Sequence, residues 1–381
     1  MHLIVVKLAA IGDLSITIQS LSLVDLSTVQ VLDIITDNEL VPLANYLVNQ
    51  WKLNNPQRTE SAHLASHCAQ PTIRVHGINA KALFNKHGRI DQIKSFLKLR
   101  RMIGALKRTQ ERAKKVQSKT LVVVMHRDQR YRWLGADAIL NHQPQRNEYD
   151  AQRDFLLGYF PHRTDTHQHA SKTNQTDLPK NNELRIGIFL GGGQNAKTQF
   201  SEKSYPRFHE LISELVAVIT NSSEKIRAPN LSIILFGSPD DSAQANKILG
   251  HRGITTSAKN SITDYTGQCS LPELCEHLKT LDVYIGTDSG PSHLAAQLLN
   301  GTPSKVFVLF GPTNPNTWAP TFNQNCHVIF EKLPCSPCYQ DDGNFKRCHL
   351  DNNLLGDQFQ LCMKQIDPKA LAQYVLSANH F

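Results

Sequence analysis

The segment Val6–Asp13 ends in a carboxylate that could do chemistry. The apolar run Leu3–Val6 predicts a strand, and the chain then turns at Gly12 before a helical pattern begins. Ligands bind at the carboxyl ends of strands in open α/β sheets, and a carboxylate there can take the proton of an attacking hydroxyl. Asp13 can equally cap the helix that follows. These residues alone leave both roles open.

A glycine loop, Gly191–Lys197, directly follows a second strand-like run, Arg185–Leu190. The backbone N–H groups of such a loop can approach phosphate oxygens, and Lys197 adds a positive charge. The loop also fits a loose G-x-G-x-x-A dinucleotide fingerprint, followed by an acidic residue about 20 positions later, at Gly191, Gly193, Ala196 and Glu214. This fit keeps an NAD-dependent oxidoreductase open as another class of enzyme.

The segment Asp282–Ala296 predicts a strand, a polar turn and a helix that begins near Pro291. A helix N-terminus attracts anions through its unpaired N–H groups and its dipole, and His293 in the first turn can hydrogen-bond a phosphate. A capped helix start without a ligand is the alternative. The acidic pair Asp240-Asp241, after the strand-like run Leu231–Phe236, can hold ribose hydroxyls or place negative charge at a helix start.

Eight cysteines occur in the chain, and four of them lie near its end. Cys335 and Cys338 form a CxxC half-site of the zinc type, while Cys348 and Cys362 follow at irregular spacings. The two interpretations are a structural zinc site and buried reduced thiols.

Runs rich in Val, Ile and Leu alternate with helical stretches and are the elements that must position these residues. The predicted strands are Leu3–Val6, Val29–Ile35, Leu121–Met125, Arg185–Leu190, Leu231–Phe236, Asp282–Ile285 and Lys305–Phe310. Continuous apolar runs of this kind are typical of parallel strands buried on both faces. A polar stretch near residues 162–182 divides two α/β halves. We therefore predict domains at 1–165 and 184–366, a linker at 166–183, and a C-terminal helix at 367–381 that packs back on the N-terminal domain.

The net charge of +8 favours anionic partners. Basic residues are densest in Lys94–Lys119, where apolar residues at helical spacing indicate either an amphipathic basic helix or a solvated helix face. The N-terminal apolar run is broken by Lys7 and has no cleavage site of a signal peptide, and no apolar run reaches the ~18 residues of a membrane span. We therefore expect a cytoplasmic protein with reduced thiols.

Together the segments resemble glycosyltransferase family nine, the lipopolysaccharide heptosyltransferase family. The matching segments, in the family's order, are KLAAIGD (K-x-x-x-I-G-D), Gly191–Ser201 (P-G-x-x-x-x-K-x-W-P), FGSPDD (G-G-P-x-E), TGQCSLPEL (T-G-x-x-S-L-x-E-L) and GTDSGPSHLAA (D-[ST]-G-x-x-H-L-A-A). Phe200 stands where Trp is usual, and Asp replaces the ribose-binding Glu.

The resemblance implies an α/β fold of the GT-B type, in which two Rossmann-like, doubly wound domains face a central cleft. It implies acceptor binding on the first domain, nucleotide-sugar binding on the second, and inversion at the anomeric carbon without a metal ion. By motif, Asp13 is the general base and Lys197 stabilises the leaving ADP. The donor-binding residues that it implies are Gly192, Asp241 or its neighbour Asp240, Asp288, Ser289, Gly290 and His293.

The resemblance further implies ADP-heptose as donor substrate, with no separate cofactor, and an anionic lipopolysaccharide inner-core acceptor. We expect a monomer that works peripherally at the inner membrane surface and has no nucleic-acid partner. Alternatives are another nucleotide sugar or acceptor on the same fold, the oxidoreductase, and a non-catalytic protein that binds acidic membranes or nucleic acid through Lys94–Lys119.

Overall fold

The computed structural model divides the chain into two compact units, Met1–Thr166 and His167–Phe381. The residues it describes are 1–8, 10–53, 71–80, 83, 89–113, 119–126, 129–141, 146–163, 183–192, 203–221, 230–252, 254, 259–339, 348 and 359–379. The predicted linker, 166–183, lies almost wholly outside the described residues.

The first unit is built on a parallel sheet whose described strands follow the order β3-β2-β1-β4-β5. Strands β1 to β5 are His2–Val6, Val31–Asp37, Thr72–Ile78, Thr120–Val124 and Ala138–Ile139. Helices α1 to α4 are Ile11–Ser22, Val41–Leu53, Arg89–Ala113 and Glu148–Leu157. The chain begins in the middle of the sheet and adds strands first on one side and then on the other. The predicted doubly wound α/β arrangement is therefore confirmed, and its strand order reverses between β1 and β4.

The second unit repeats this plan with the strand order β11-β10-β9-β6-β7-β8 among its described residues. Strands β6 to β11 are Glu183–Phe189, Asn230–Phe236, Ile262–Asp264, Val283–Thr287, Lys305–Phe310 and Cys326–Phe330. Helices α5 to α11 are Phe208–Asn221, Ser242–Leu249, Leu271–Leu278, Gly290–Leu298, Pro315–Trp318, Leu361–Lys364 and Pro368–Ser377. Here the order reverses between β6 and β9, which is where doubly wound sheets bind their ligands.

The C-terminal helix α11 corrects one prediction. It begins as expected, with Asp367 accepting a hydrogen bond from the backbone N–H of Ala370 and with Pro368 in the first turn. Its apolar side chains, among them Leu371 and Val375, belong to the core of the second unit, and the helix packs against α5. The sequence interpretation had it packing on the N-terminal domain. Its apolar stripe is instead buried within the unit to which it belongs in sequence.

A buried carboxylate, Asp33, ties the edge strand β3 to the middle of the first sheet. Its two oxygens accept hydrogen bonds from Arg74 Nε at 2.6 Å and Arg74 Nη2 at 2.7 Å. Nε2 of His2 lies 2.6 Å from one oxygen, and Nε2 of His76 lies 2.8 Å from the other. Burial alone would raise the pKa of Asp33, but these partners outweigh burial and hold the pKa well below its usual value. The ionised carboxylate is therefore part of the folded unit.

Within the described part of the chain, no helix is both long and apolar enough to cross a membrane.

Candidate active site

Asp13 lies in the first turn of α1, at the third helical position after the N-cap residue Ala10. It follows β1, so it stands at the carboxyl edge of the first sheet, beside the reversal of strand order. Ala10, which has no side-chain acceptor, occupies the N-cap position itself. Its side chain is 27% exposed. A partly accessible carboxylate at this edge can reach a bound hydroxyl, and its role as general base stays a prediction.

Lys7 is the partner of Asp13, and the sequence interpretation gave it no role. Its Nζ lies 3.0 Å from Oδ1 of Asp13 and donates a hydrogen bond of 2.8 Å to the backbone oxygen of Met125, which follows β4. The Lys7 side chain is only 4% exposed. Nearby, Nε2 of His126 accepts a hydrogen bond of 2.6 Å from the backbone N–H of Leu8. The signal was present, because Lys7 is the first residue of the segment KLAAIGD.

In the second unit the loops after β6 and β9 meet at the reversal of strand order. The hydroxyl of Thr287 donates a hydrogen bond of 3.2 Å to the backbone oxygen of Gly191. Gly191 and Gly192 are both buried. The fingerprint residues Gly193 and Ala196 lie outside the described residues. The glycine loop thus starts directly beside the turn that carries Asp288.

Asp288 and His293 form a buried pair at this turn. Nε2 of His293 lies 3.5 Å from Oδ1 of Asp288, and the two side chains are 7% and 6% exposed. Burial alone would raise the pKa of Asp288, but the positive charge of Lys203 and the hydrogen bond with His293 outweigh burial and hold the pKa below its usual value. The pair fixes the imidazole at the start of α8.

The N-terminus of α8 has the features of an anion site. Ser289 is its N-cap residue, but the Ser289 hydroxyl makes no capping bond and is buried without a hydrogen-bond partner among the described residues. Buried hydroxyls are normally paired, so this one is suited to a ligand oxygen. Gly290 is the first helical residue, and its backbone N–H has no partner within the helix. Ser289, Gly290 and His293 thus lie together at the start of α8, and their role in binding a donor stays a prediction.

Asp241 lies beside the glycine loop, although it also has a local structural role. Its Oδ2 accepts hydrogen bonds of 2.7 Å from both the backbone N–H and the hydroxyl of Ser238. A Cβ atom added at Gly191 would lie 2.6 Å from the same oxygen. The carboxylate therefore stands at the β6–β7 edge, close to the phosphate-type site. Asp240, the other member of the pair, is exposed.

Lys203 is a second residue near the candidate site that the sequence interpretation did not single out. The predicted cation, Lys197, lies outside the described residues. Lys203 acts electrostatically on Asp288, and the chain after it is firmly held, because Tyr205 is fully buried and its hydroxyl donates a 2.8 Å hydrogen bond to the backbone oxygen of Ile366. The segment Lys203–Pro206 reads K-S-Y-P and matches the end of the motif P-G-x-x-x-x-K-x-W-P with Tyr for Trp. That match was the available signal.

The four cysteines of the C-terminal region lie close enough for the other three thiols to act electrostatically on Cys362. Among the residues that the structure describes, no group of three or more His, Cys, Asp or Glu side chains is arranged to hold a metal ion. The four candidates Cys335, Cys338, Cys348 and Cys362 are all described and are free thiols. Burial, with a smaller contribution from the other three thiols, raises the pKa of Cys362 to about 12. Both interpretations, a structural zinc site and reduced thiols, stay predictions.

Comparison with known proteins gives a sequence match in the second half of the chain. Residues 195–349 match the sequence model of glycosyltransferase family 9 (heptosyltransferase). Lipooligosaccharide heptosyltransferase 2 of Campylobacter jejuni subsp. jejuni serotype O:2 is 28% identical over 122 residues, which are 31% of this chain and 33% of that protein. The chain thus matches about one third of the length of this curated relative.

Solved structures extend the likeness to the whole chain. The E. coli ADP-heptose lps heptosyltransferase II has a TM-score of 0.56 at 14% identity, covering 99% of this chain and 98% of that one. The E. coli heptosyltransferase WaaC with ADP has a TM-score of 0.57 at 14% identity, covering 99% and 100%. These likenesses show the GT-B fold. Residues 195–349 thus match glycosyltransferase family 9 in sequence, and the whole chain has the fold of solved heptosyltransferases, in line with its ordered motifs.

Proposed function

We propose that the chain transfers heptose from ADP-heptose to a lipopolysaccharide inner-core acceptor. The observation that carries this proposal is the anion site at the β6–β9 edge, where the glycine loop, the Asp288–His293 pair and the unpaired Ser289 hydroxyl meet. Most of this site falls in the segment that matches family 9. The heptosyltransferases in the comparisons support both the donor and the acceptor class.

In the proposed reaction an acceptor hydroxyl attacks the anomeric carbon of the donor from the face opposite the diphosphate. Its proton passes to the Asp13 carboxylate while the bond between the sugar and ADP breaks, so the configuration inverts. Lys7 holds Asp13 in place through the 3.0 Å ion pair. A positioned base of this kind contributes about 10²–10⁴-fold to a rate.

The departing ADP carries negative charge, and the second unit supplies the groups that stabilise it. The start of α8 and His293 lie at the Asp288 turn, and the positive charge of Lys203 acts on Asp288. Asp241 is placed to take the ribose hydroxyls. We propose that these groups make a metal ion unnecessary, and the chain contains no Asp-x-Asp pair of the kind that holds one in metal-dependent glycosyltransferases.

The base assignment is tested with Asp13→Asn. Transfer of labelled heptose from ADP-heptose to purified inner-core acceptor should fall at least about a hundredfold, because asparagine cannot accept the proton. Binding of ADP-heptose should stay unchanged, because Asp13 belongs to the acceptor side. Asp91→Asn is the matched control, since Asp91 is an exposed carboxylate of the same unit. Full activity of Asp13→Asn would remove Asp13 from the mechanism.

The donor itself is tested by thermal shift with a series of nucleotide sugars. A true donor raises the melting temperature by mass action, whereas a sugar that does not bind leaves it unchanged. We expect ADP-heptose to give the largest shift. A clear shift with UDP- or GDP-sugars alone would keep the fold and mechanism but replace the donor.

We further propose that the enzyme works in the cytoplasm at the inner face of the inner membrane, as a peripheral monomer without a nucleic-acid partner. The acceptor class supports this location, because a lipopolysaccharide inner core is an anionic glycolipid. The net charge of +8 favours attraction to such a surface.

A further inference from the structure

The helix α3, Arg89–Ala113, is unusually basic, with eight Lys and Arg residues and two Asp and Glu residues in its sequence. One of its sides is part of the core of the first unit: Leu99 is 0% and Ile103 is 1% exposed. Phe96, Met102 and Leu106 pack against the same core. These contacts fix which side of the helix faces solvent.

The opposite side carries large apolar residues that the fold leaves open. Ile90 is 69%, Ile93 is 60% and Leu97 is 46% exposed. Their spacing of three and four residues places them on one stripe of the helix. Scattered exposed apolar residues are ordinary, but three in one stripe form a patch, and such patches mark interaction sites.

Cations flank this stripe. Lys94, Lys98 and Arg101 are all exposed. At 3.6 residues per turn, Lys94 follows Ile90 by one turn and Arg101 follows Leu97 by one turn, while Lys98 follows Lys94 at the same spacing of four residues. We name the six residues Ile90, Ile93, Lys94, Leu97, Lys98 and Arg101 the outer face of α3.

We propose that the outer face of α3 docks the protein on the surface of an anionic lipid bilayer. Apolar side chains of such a helix enter the boundary between headgroups and acyl chains, while long cationic side chains reach the lipid phosphates. The charge complementarity selects this occupant. A second copy of the same face would bring like charges together, and nucleic acid would match the cations but leave the three apolar residues in water.

This inference names the surface that would hold the protein at the membrane proposed above. The choice of an anionic bilayer rests on the proposed function. Binding to vesicles is measured without sugar transfer, so the two proposals can fail separately. A soluble acceptor should be turned over normally by a variant that no longer docks.

The test is co-sedimentation of the full chain with vesicles of phosphatidylcholine and phosphatidylglycerol, and with vesicles of phosphatidylcholine alone. The wild type should bind the anionic vesicles and bind the neutral ones much more weakly. The variant Ile90→Ser, Ile93→Ser, Leu97→Ser should bind anionic vesicles at least about tenfold more weakly, and so should Lys94→Gln, Lys98→Gln, Arg101→Gln. All six side chains are exposed, so we expect both variants to keep the wild-type circular dichroism and melting temperature.

Two controls come from exposed residues of the second unit. Lys259→Gln, Lys332→Gln, Lys369→Gln removes the same charge elsewhere, and Val328→Ser removes an apolar side chain that is 42% exposed. Both should bind like the wild type. The proposal is overturned if the lysine control loses as much vesicle binding as the charge variant of the outer face. It is also overturned if the charge variant loses binding and the apolar variant does not, because either result would show general electrostatic adsorption. A wild type that does not bind anionic vesicles would overturn it as well.

Discussion

At the residue scale, two lysines, Lys197 and Lys203, are candidates for the cation that serves the proposed donor site. The glycine loop led to Lys197, because that lysine is the first one after the glycines. Lys203, which starts K-S-Y-P, is the residue whose charge lowers the pKa of Asp288. Because a tyrosine stands where the family motif has tryptophan, the sequence interpretation did not recognise the match of K-S-Y-P to K-x-W-P.

We therefore predict that Lys203→Ala lowers kcat about 10²–10³-fold, because a cation aimed at developing negative charge contributes at this level. Lys203→Arg should recover part of the loss, since it keeps the charge. Both are measured as steady-state turnover of ADP-heptose.

The same assay decides between the two lysines. Lys197→Ala should keep most of the activity, and Lys259→Ala, which changes an exposed lysine, serves as the control. If Lys197→Ala loses as much as Lys203→Ala, both cations serve the leaving group. If only Lys197→Ala is inactive, the original assignment from the sequence stands.

Other residues were predictable to different degrees. The sequence allowed the turn Asp288–Gly290 and His293 to be predicted. Their residue types, the strand that ends before them and the helix that starts with them all indicate the same anion site. The segment KLAAIGD contains both Lys7 and its ion-pair partner, but the hydrogen bond of Lys7 to the backbone of Met125, more than a hundred residues away, could not be predicted from local sequence.

At the element scale, the turn from β9 into α8 depends on a close approach that only glycine allows. A Cβ atom at Gly286 would lie 2.5 Å from the hydroxyl of Tyr284 and 2.9 Å from Oγ of Ser292. Those two hydroxyls lie 3.1 Å apart, and that of Ser292 also donates a 2.6 Å hydrogen bond to the backbone oxygen of Thr287. Gly286 thus keeps the start of α8 at its place.

Gly286→Ala should accordingly weaken ADP-heptose binding at least about tenfold and lower the melting temperature, because overpacking in a core typically costs about 1–3 kcal/mol. Isothermal titration and thermal unfolding measure the two effects. Gly104→Ala is the matched control, since its new Cβ would meet only the flexible end of Arg108, at 3.4 Å. Unchanged donor binding in Gly286→Ala would show that the start of α8 does not hold the donor.

The strands divide clearly into those that the sequence predicts and those that it does not. Every predicted strand is present, with ends shifted by a few residues. The strands that were missed are the four sheet edges of the described residues, β3, β5, β8 and β11. Edge strands are buried less completely, as in β3, where Arg74 and His76 interrupt the apolar pattern, so they lack the continuous run that marks a central strand.

At the scale of the whole molecule, the buried charge of Asp33 makes the stability of the first unit depend on pH. The pKa of this carboxyl is lowered in the folded protein, so the unfolded chain binds the proton first on acidification. Its contribution to the free energy of unfolding is complete above the ordinary pKa of about 4 and is lost as the pH falls below it. Burial without partners would have given the opposite sign.

We predict that Asp33→Asn lowers the free energy of unfolding at pH 7 by about 3 kcal/mol, since it breaks a buried ion pair. The difference from the wild type should shrink as the pH falls from 5 to 3. Urea unfolding followed by tryptophan fluorescence in a Trp318→Phe background reports on the first unit, where the other two tryptophans, Trp51 and Trp133, lie.

Asp91→Asn, at an exposed site, should leave the free energy of unfolding unchanged at both pH values. A deficit of Asp33→Asn that stays constant between pH 7 and pH 3 would show that Asp33 is not ionised in the folded unit.

The order of the strands has a consequence for synthesis on the ribosome. The central strand β1 pairs with β4, so the centre of the first sheet cannot form until residue 124 has left the ribosome. All the strands paired in that sheet belong to the first unit. The second sheet can pair β6 with β9 only after residue 287, and its core is not covered until α11, at residues 368–377, has been made. We therefore expect the nascent chain to fold in two separate steps, with the half that carries Asp13 completed first and the apolar core of the half that carries Asp288 left uncovered for longer.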